Sequence, residues 1–237
     1  SPMTCPKCRS VSSFTPTYIV QKSRPAERGT FWAPLIVGED VRRHQAGPSR
    51  WLELGLDGVQ YKDLSIYQPP KLLVRKTGLG INAAVDSSSS LTTQVVYHYL
   101  ARETAPTFFL DYLSGVLCSK VMLAVHLSRT GETEWRSHPY VTPRVLSTLP
   151  VPTPAPGTEE WALAQEIADQ SRQARSTSGI ERLRVEARLE RSVQSLFGLD
   201  AVSVAWVEKV LARTQDLEAF AHLRGDNLHV PPTDKAA

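Results

Sequence analysis

The sequence is poor in cysteine and has no long apolar run, and each shortage excludes a class of protein. Its 237 residues include three cysteines, a sparse and odd number that argues against a disulfide-stabilised fold and for a reducing compartment. The longest apolar run, residues 121–127, is interrupted by His126 and is too short to span a bilayer. No basic segment followed by an apolar stretch opens the chain, so we expect no secretory signal, no membrane contact and a cytoplasmic location.

The sequence also lacks the motifs that mark common catalytic sites. It contains no G-x-S-x-G, P-loop or H-E-x-x-H pattern, and no H-x-E followed by C-x-x-C. Gly78-Leu79-Gly80 has no third glycine and is predicted to be a turn. Gln68-Pro-Pro-Lys71 has the two prolines of the Asn/Asp-Pro-Pro-aromatic motif of amino-directed DNA methyltransferases, but its Gln and Lys do not fill the base-contacting and base-stacking roles. We therefore expect a chain that is not an enzyme by itself and binds no cofactor.

Cys5 and Cys8 are the one pair of residues with metal-ligand spacing. Cys5-Pro-Lys-Cys8 has the spacing of half a zinc knuckle, whereas a structural zinc site needs four ligands. Cys118 is isolated within a predicted helix, and no second pair follows it. Either further ligands lie upstream or the pair is inert, and we expect no metal site.

What the sequence does contain is the composition of a folded domain with unevenly distributed charge. Hydrophobic residues make up 41% of the chain and charged residues 22%, which is ordinary globular chemistry. Residues 1–157 hold 17 basic and 11 acidic side chains, a net charge of +6, and residues 158–237 hold 10 basic and 13 acidic side chains, a net charge of −3. The asymmetry indicates a polyanionic partner for the first part, although chance surface variation would also produce it.

Periodicity predicts a mixed α/β body followed by helices. Short β-branched and aromatic runs predict strands at residues 17–21, 72–75 and 93–100, and three- and four-residue spacing predicts one core helix over residues 108–124. Further helices are predicted to begin after Thr158, to run from Ile180 to Leu196 with a stop at Gly198, and to begin again after Asp200.

A proline-rich segment, residues 151–157, divides the two parts because alternating prolines exclude helix. We predict five segments: an N-terminal extension at 1–29 that begins with a cloning remnant (Ser1-Pro2), the α/β body at 30–150, a proline linker at 151–157, a helical segment at 158–224, and a tail at 225–237.

Six segments, taken in order, resemble one protein family. Four of them lie in the α/β body, one ends it and one lies in the helical segment: Pro34-Leu-Ile-Val-Gly-Glu-Asp-Val-Arg-Arg-His44, Trp51-Leu-Glu-Leu54, Pro70-Lys-Leu-Leu-Val-Arg-Lys-Thr-Gly78, Tyr112-Leu-Ser-Gly-Val-Leu-Cys-Ser-Lys120, Leu149-Pro-Val-Pro152, and residues 189–199 with Leu-Phe-Gly-Leu. The chain resembles the C-terminal target-recognition (specificity) domains of TaqI-like and type IIG adenine-specific DNA methyltransferases. Relatives occur in type I specificity subunits and in phage-defence systems. His44 and Cys118 stand where the family pattern has an aromatic residue and an asparagine.

The resemblance implies a mixed sheet with packed helices that reads a short sequence in double-stranded DNA. It also implies that a catalytic domain or subunit, carrying S-adenosylmethionine, flips and methylates the adenine. The acidic helical segment is expected to dock that catalytic partner, although a helical cap on the same domain would give the same pattern.

Cations suit phosphates, and forked or amide donors suit base edges. The candidate DNA-binding residues are therefore the basic and polar side chains Arg42, Arg43, Arg75, Lys76, Thr77, Asn82, Thr92, Thr93, Gln94, Lys120, Arg136 and Arg144.

The competing hypothesis is a protein-interaction module for which DNA contact is incidental. Deletion of residues 158–237 is expected to separate the two, because loss of assembly with DNA binding intact would indicate two separate roles.

Overall fold

The expected mixed α/β fold is confirmed by a computed structural model, which describes residues 3–4, 11–12, 20–24, 31–56, 61–77, 80–130 and 141–215. Within these residues the chain forms a four-stranded sheet, a three-stranded sheet, a two-stranded ribbon and six α-helices. The ribbon pairs β1 (Met3–Thr4) with β2 (Val11–Ser12). Of the strand predicted at 17–21, β3 (Val20–Gln21) lies within the described residues and the rest lies outside them.

The first sheet is mixed, with strand order β3-β5-β4-β8. β4 (Phe31–Ile36) pairs antiparallel with β5 (Arg50–Leu54) and parallel with β8 (Leu91–Thr92). One face of this sheet packs around Leu35, Tyr67 and Leu91.

The second sheet is antiparallel, with strand order β7-β6-β9, and forms the central layer. β6 (Lys71–Arg75) lies between β7 (Ala83–Asp86) and β9 (Val96–Leu100). Alternation along β6 sends Leu72 and Val74 into the helix-facing core and Leu73 into a second cluster with Ile36 and Val41. β6 is therefore buried on both faces, which explains its nearly continuous apolar run.

The single helix predicted over residues 108–124 is wrong in one respect, since two helices form there. α1 (Phe109–Leu117) and α2 (Lys120–Thr130) meet at a bend of 61°. Ser119 begins the second helix as its N-cap, because its Oγ accepts a hydrogen bond from the Met122 N–H at 3.1 Å. The apolar spacing continues across the bend and conceals this break. The prediction that α1 packs on a sheet is confirmed by its contacts with β6 and β7.

The predicted helix starts at Thr158 and Asp200 and the predicted stop at Gly198 are confirmed. After the short α3 (Pro143–Ser147), α4 (Glu159–Ser176) is capped by Thr158, whose Oγ1 accepts from the Trp161 N–H at 3.2 Å. α5 (Gly179–Leu196) ends at Gly198, which has a φ of 60°. α6 (Ala201–Gln215) begins where the Asp200 carboxylate accepts from the Ser203 N–H at 2.8 Å.

α4 and α5 share the main core with α1, β6 and β7. Ile167 of α4 and Leu189 of α5 are fully buried beside Gly115 of α1. α6 packs instead on α2 through Val207 and Leu211. The helical segment therefore covers the sheet domain, so its apolar stripe is already occupied and its outer face alone is available to a partner.

No single helix in the described parts of the chain is long and apolar enough to cross a membrane, whereas the bent pair of α1 and α2, taken together, passes the same test of length and composition.

Candidate nucleic-acid interface

Three loops meet at one end of the two sheets, and we call the surface formed by residues 37–42, 75–77 and 93–95 the basic edge. The Thr93 N–H donates to the Ile36 carbonyl at 3.2 Å, and the Lys76 N–H donates to the Val95 carbonyl at 2.8 Å. Gly38 lies against Val95 so closely that a Cβ on it would stand 3.0 Å from the Val95 side chain. The loop between β8 and β9 is thus fastened to the ends of both β4 and β6.

Positive charge predominates at the basic edge. Arg42, Arg75 and Lys76 are half-buried there. Asp40 is engaged internally, since its carboxylate accepts from the Val37 N–H and the Ser49 hydroxyl, both at 2.8 Å. Glu39 forms an exposed ion pair with Arg50 at 3.1 Å. Asp40 and Glu39 therefore both have partners, and cations outnumber carboxylates among the residues of the basic edge.

Two buried polar atoms at the basic edge have no hydrogen-bond partner. They are Arg75 Nε and Thr93 Oγ1. Their segments are joined, because Arg75 pairs with Val96 and the Val96 N–H donates to the Thr93 carbonyl. Burial lowers the pKa of Arg75, Glu39 raises it and Arg42 lowers it again, but an arginine stays charged in any protein. Unsatisfied buried donors are rare and costly, so both atoms are able to take up a further hydrogen-bond partner.

Other predicted residues lie within the basic edge or close to it. The Asn82 carbonyl accepts from the Arg75 N–H at 2.9 Å, and Gln94 is exposed on the β8–β9 loop. Thr77 is half-buried beside Lys76. Arg144 is exposed on α3, which follows Val141, whose N–H donates to the Lys76 carbonyl at 2.9 Å.

Thr92 lies one residue before the edge and is half-buried. Burial raises the pKa of Tyr67, and the Thr92 side chain opposes that rise, so Thr92 lies beside the Tyr67 hydroxyl.

Two predicted DNA contacts point elsewhere. Arg43 is 5% exposed and forms ion pairs with Glu186 and Glu190 of α5. The Lys120 ammonium pairs with Glu208 of α6 at 3.2 Å. Because the Arg43 guanidinium is enclosed by protein, we withdraw Arg43 from the proposed contacts and assign it a structural role; Lys120 is directed towards α6.

Three predicted residues lie outside the described part of the chain: Arg136, Cys5 and Cys8. Among the residues that are described, no group of three or more His, Cys, Asp or Glu side chains is arranged to hold a metal ion.

Sequence reasoning missed Arg50, Glu186 and Glu190. No pattern in the sequence indicated a role for Arg50, because it begins a strand and its acidic partner, Glu39, lies in a separate loop. Arg182, Glu186 and Glu190 recur at four-residue spacing beside the apolar stripe of α5, and such spacing places them on one helix face. That pattern was the available signal for a buried ionic network.

The described residues thus form a mixed α/β domain with cations gathered at one edge. Residues 33–151, half of the chain, match the TaqI-like C-terminal specificity domain, and the chain belongs to this family. No curated protein matches the chain. The family defines a role in DNA sequence specificity within TaqI-like methyltransferase systems, and a specificity domain is the recognising rather than the catalysing part.

Proposed function

We propose that this chain recognises a specific sequence in double-stranded DNA through the basic edge, on behalf of an adenine-specific methyltransferase of a restriction–modification or phage-defence system. The observation that carries the proposal is the pair of buried, unpartnered atoms, Arg75 Nε and Thr93 Oγ1, beside Arg42 and Lys76. The family membership supports the same role.

The side chains at the basic edge suit two kinds of DNA contact. The Lys76 ammonium is a compact charge and the Arg42 guanidinium is a forked one, and both suit phosphates. Phosphate contacts set the affinity and the orientation of the bound duplex. Arg75 presents a planar fork suited to the O6 and N7 acceptors of guanine, and threonine and glutamine side chains suit other base edges. Arg75, Thr93 and Gln94 are therefore proposed to read bases, and Arg42, Lys76 and Arg144 to hold phosphates.

Catalysis is assigned to another domain or subunit. The proposed partner binds S-adenosylmethionine, extrudes the target adenine and methylates it, while this chain fixes the position of the duplex. The type IIG arrangement, with both parts in one polypeptide, and a separate specificity subunit are both compatible with this division.

The outer face of α6 is the proposed docking surface for that partner. Val202 and Trp206 lie one helical turn apart and are 77% and 46% exposed, respectively. An exposed valine and tryptophan side by side on a helix surface are typical of an interaction site. The same observation supports the alternative function, a protein-assembly module whose DNA contact is incidental.

Salt dependence of binding separates the two functions. The chain is titrated with a random-sequence duplex over a range of salt concentrations, and log K is plotted against log salt. We expect a steep negative slope for the wild type and a decrease in its magnitude by about one in Lys76→Ala, because one phosphate contact is lost.

Arg184→Ala is the matched control, since Arg184 is an exposed cation on α5 that faces Glu181. Its removal changes the net charge equally but should leave the slope unchanged. Wild-type binding that is indifferent to salt, or an equal effect of both variants, would contradict DNA recognition by the basic edge.

A further inference from the structure

A tight turn, residues 42–45, connects the basic edge to the helices. Arg42 and Gln45 exchange backbone hydrogen bonds of 2.8 and 3.1 Å across it. His44 has a φ of 62°, and its N–H donates to the Ala83 carbonyl at 2.9 Å. The turn therefore has Arg42 at the basic edge and presents the next two side chains to the interior.

Arg43 anchors this turn in the helical layer. Its Nε donates to the Cys118 carbonyl at 2.8 Å, at the end of α1. Its two terminal nitrogens bind the carboxylates of Glu186 and Glu190, one each. We call Arg43, Glu186 and Glu190 the Arg43 clamp.

Both carboxylates of the clamp make a second contact that fixes them. Glu186 also accepts from Arg182 Nε at 2.8 Å, and Arg182 Nη2 donates to the Arg43 carbonyl at 2.7 Å. Glu190 also accepts from the Lys120 N–H, at 3.0 and 3.1 Å, at the start of α2. Two arginines thus face two carboxylates, and residues of α5 bind both the side chain and the backbone carbonyl of Arg43.

A buried clamp of this kind has few alternative arrangements. Removal of one charged partner leaves an uncompensated buried charge, which the protein relieves by moving the remaining groups. Because consecutive Cα atoms are only 3.8 Å apart, any shift of Arg43 is transmitted to Arg42. The cationic turn therefore keeps one position as long as the clamp is intact.

We propose that the Arg43 clamp positions the basic edge for DNA reading, so that Glu186 and Glu190 of α5 are positioning residues for sequence specificity although neither belongs to the basic edge. The inference rests on the proposed function. It predicts that a change within α5 shifts Arg42 and with it the orientation of the bound duplex, so that sequence preference falls while Arg42 still contacts a phosphate.

The experiment compares Glu186→Gln with Glu181→Gln, the same chemical change at an exposed position of the same helix. Two probes are used: a random-sequence duplex pool, and a duplex enriched from that pool by the wild-type chain. We expect Glu186→Gln to lower the preference for the enriched duplex by about two- to thirtyfold. Its salt slope on the random pool should equal that of the wild type, and Glu181→Gln should match the wild type in both respects.

Arg43→Lys supplies a second test that keeps every charge but loses the fork that joins two carboxylates. It should lower the preference in the same way, and it decides the question if Glu186→Gln does not fold. Wild-type preference in a folded Glu186→Gln or Arg43→Lys variant would overturn the inference. Failure of both variants to fold would also overturn it, because the clamp would then hold the whole domain together rather than position one turn. If the wild type enriches no duplex, the proposed function fails instead.

Discussion

The stability of the domain depends on pH through His44. It is fully buried, and its Nδ1 lies 3.3 Å from the Ser171 hydroxyl and 3.5 Å from the Ser114 hydroxyl. Burial lowers the pKa of His44 well below its usual 6.5, and the positive charges of Arg43 and Arg182 lower it further. The imidazole is therefore neutral in the folded protein, with cations on the neighbouring turn and helix.

Acidification should consequently destabilise the protein through His44. Below a pH of about 6.5 the unfolded chain takes up a proton that the folded chain rejects, so the free energy of unfolding falls by up to about 1.4 kcal/mol per pH unit. The stabilisation is fully present above that pH. Urea denaturation between neutral pH and about pH 5 measures this slope.

His98 and His126 shift in the same direction, each mainly through burial, so the His44 part must be isolated. His44→Asn is the suitable variant, because asparagine tolerates a positive φ and does not titrate. We expect a smaller pH slope in this variant. Equal slopes in the variant and the wild type would show that His44 does not carry the effect.

The contact between α1 and α4 depends on one glycine. A Cβ on Gly115 would lie 2.5 Å from Ile167 Cγ2 and 3.3 Å from the Ile167 carbonyl oxygen. The two helices therefore approach as closely as they do because residue 115 has no side chain.

Gly115→Ala should accordingly lower the free energy of unfolding by about 1–3 kcal/mol, the usual cost of overpacking. This would occur although alanine favours helix by about 1 kcal/mol relative to glycine. Chemical denaturation measures the change, and Ile167→Ala supplies the matched background. If Gly115→Ala costs as much in that background as in the wild type, the contact with Ile167 is not its cause.

Local rules predicted much of the helical layer. Thr158, Gly198 and Asp200 mark helix ends through side-chain caps or a left-handed residue, which are signals written in a few neighbouring residues. The break at Ser119 was missed because apolar periodicity passes through it. The burial of Arg43 could not be predicted, because its partners on α5 follow it by 143 and 147 residues and exist only after the helices pack.

At the scale of the whole molecule, the basic edge and the helical segment are parts of one packed unit. Ile167 and Leu189 belong to the same core as Leu72 and Val74 of the central sheet. Deletion of residues 158–237 would therefore expose the helix-facing core and could not separate DNA binding from assembly. Substitutions on the outer face of α6, at Val202 and Trp206, are the appropriate means of testing partner docking.

At the scale of the whole molecule, ion pairs between the two parts of the chain reduce the charge asymmetry seen in the sequence. The net charges of +6 on residues 1–157 and −3 on residues 158–237 partly offset each other, through the buried pairs of Arg43 with Glu186 and Glu190 and through the solvent-accessible pair of Lys120 with Glu208. The basic edge carries three further cations, Arg42, Arg75 and Lys76, and these are the ones proposed to meet the polyanion.

Sequence preference is the most direct test of the central claim that the basic edge reads DNA. The measurement is enrichment of duplexes from a random-sequence pool by the wild-type chain, by Arg75→Lys, and by Arg184→Lys as a charge-conserving control. We predict that the wild type and Arg184→Lys enrich the same sequence. Arg75→Lys should lose about 1–3 kcal/mol of discrimination at one base pair, with no change in salt slope. Enrichment of no sequence by the wild type, or of the same sequence to the same extent by Arg75→Lys, would contradict the account.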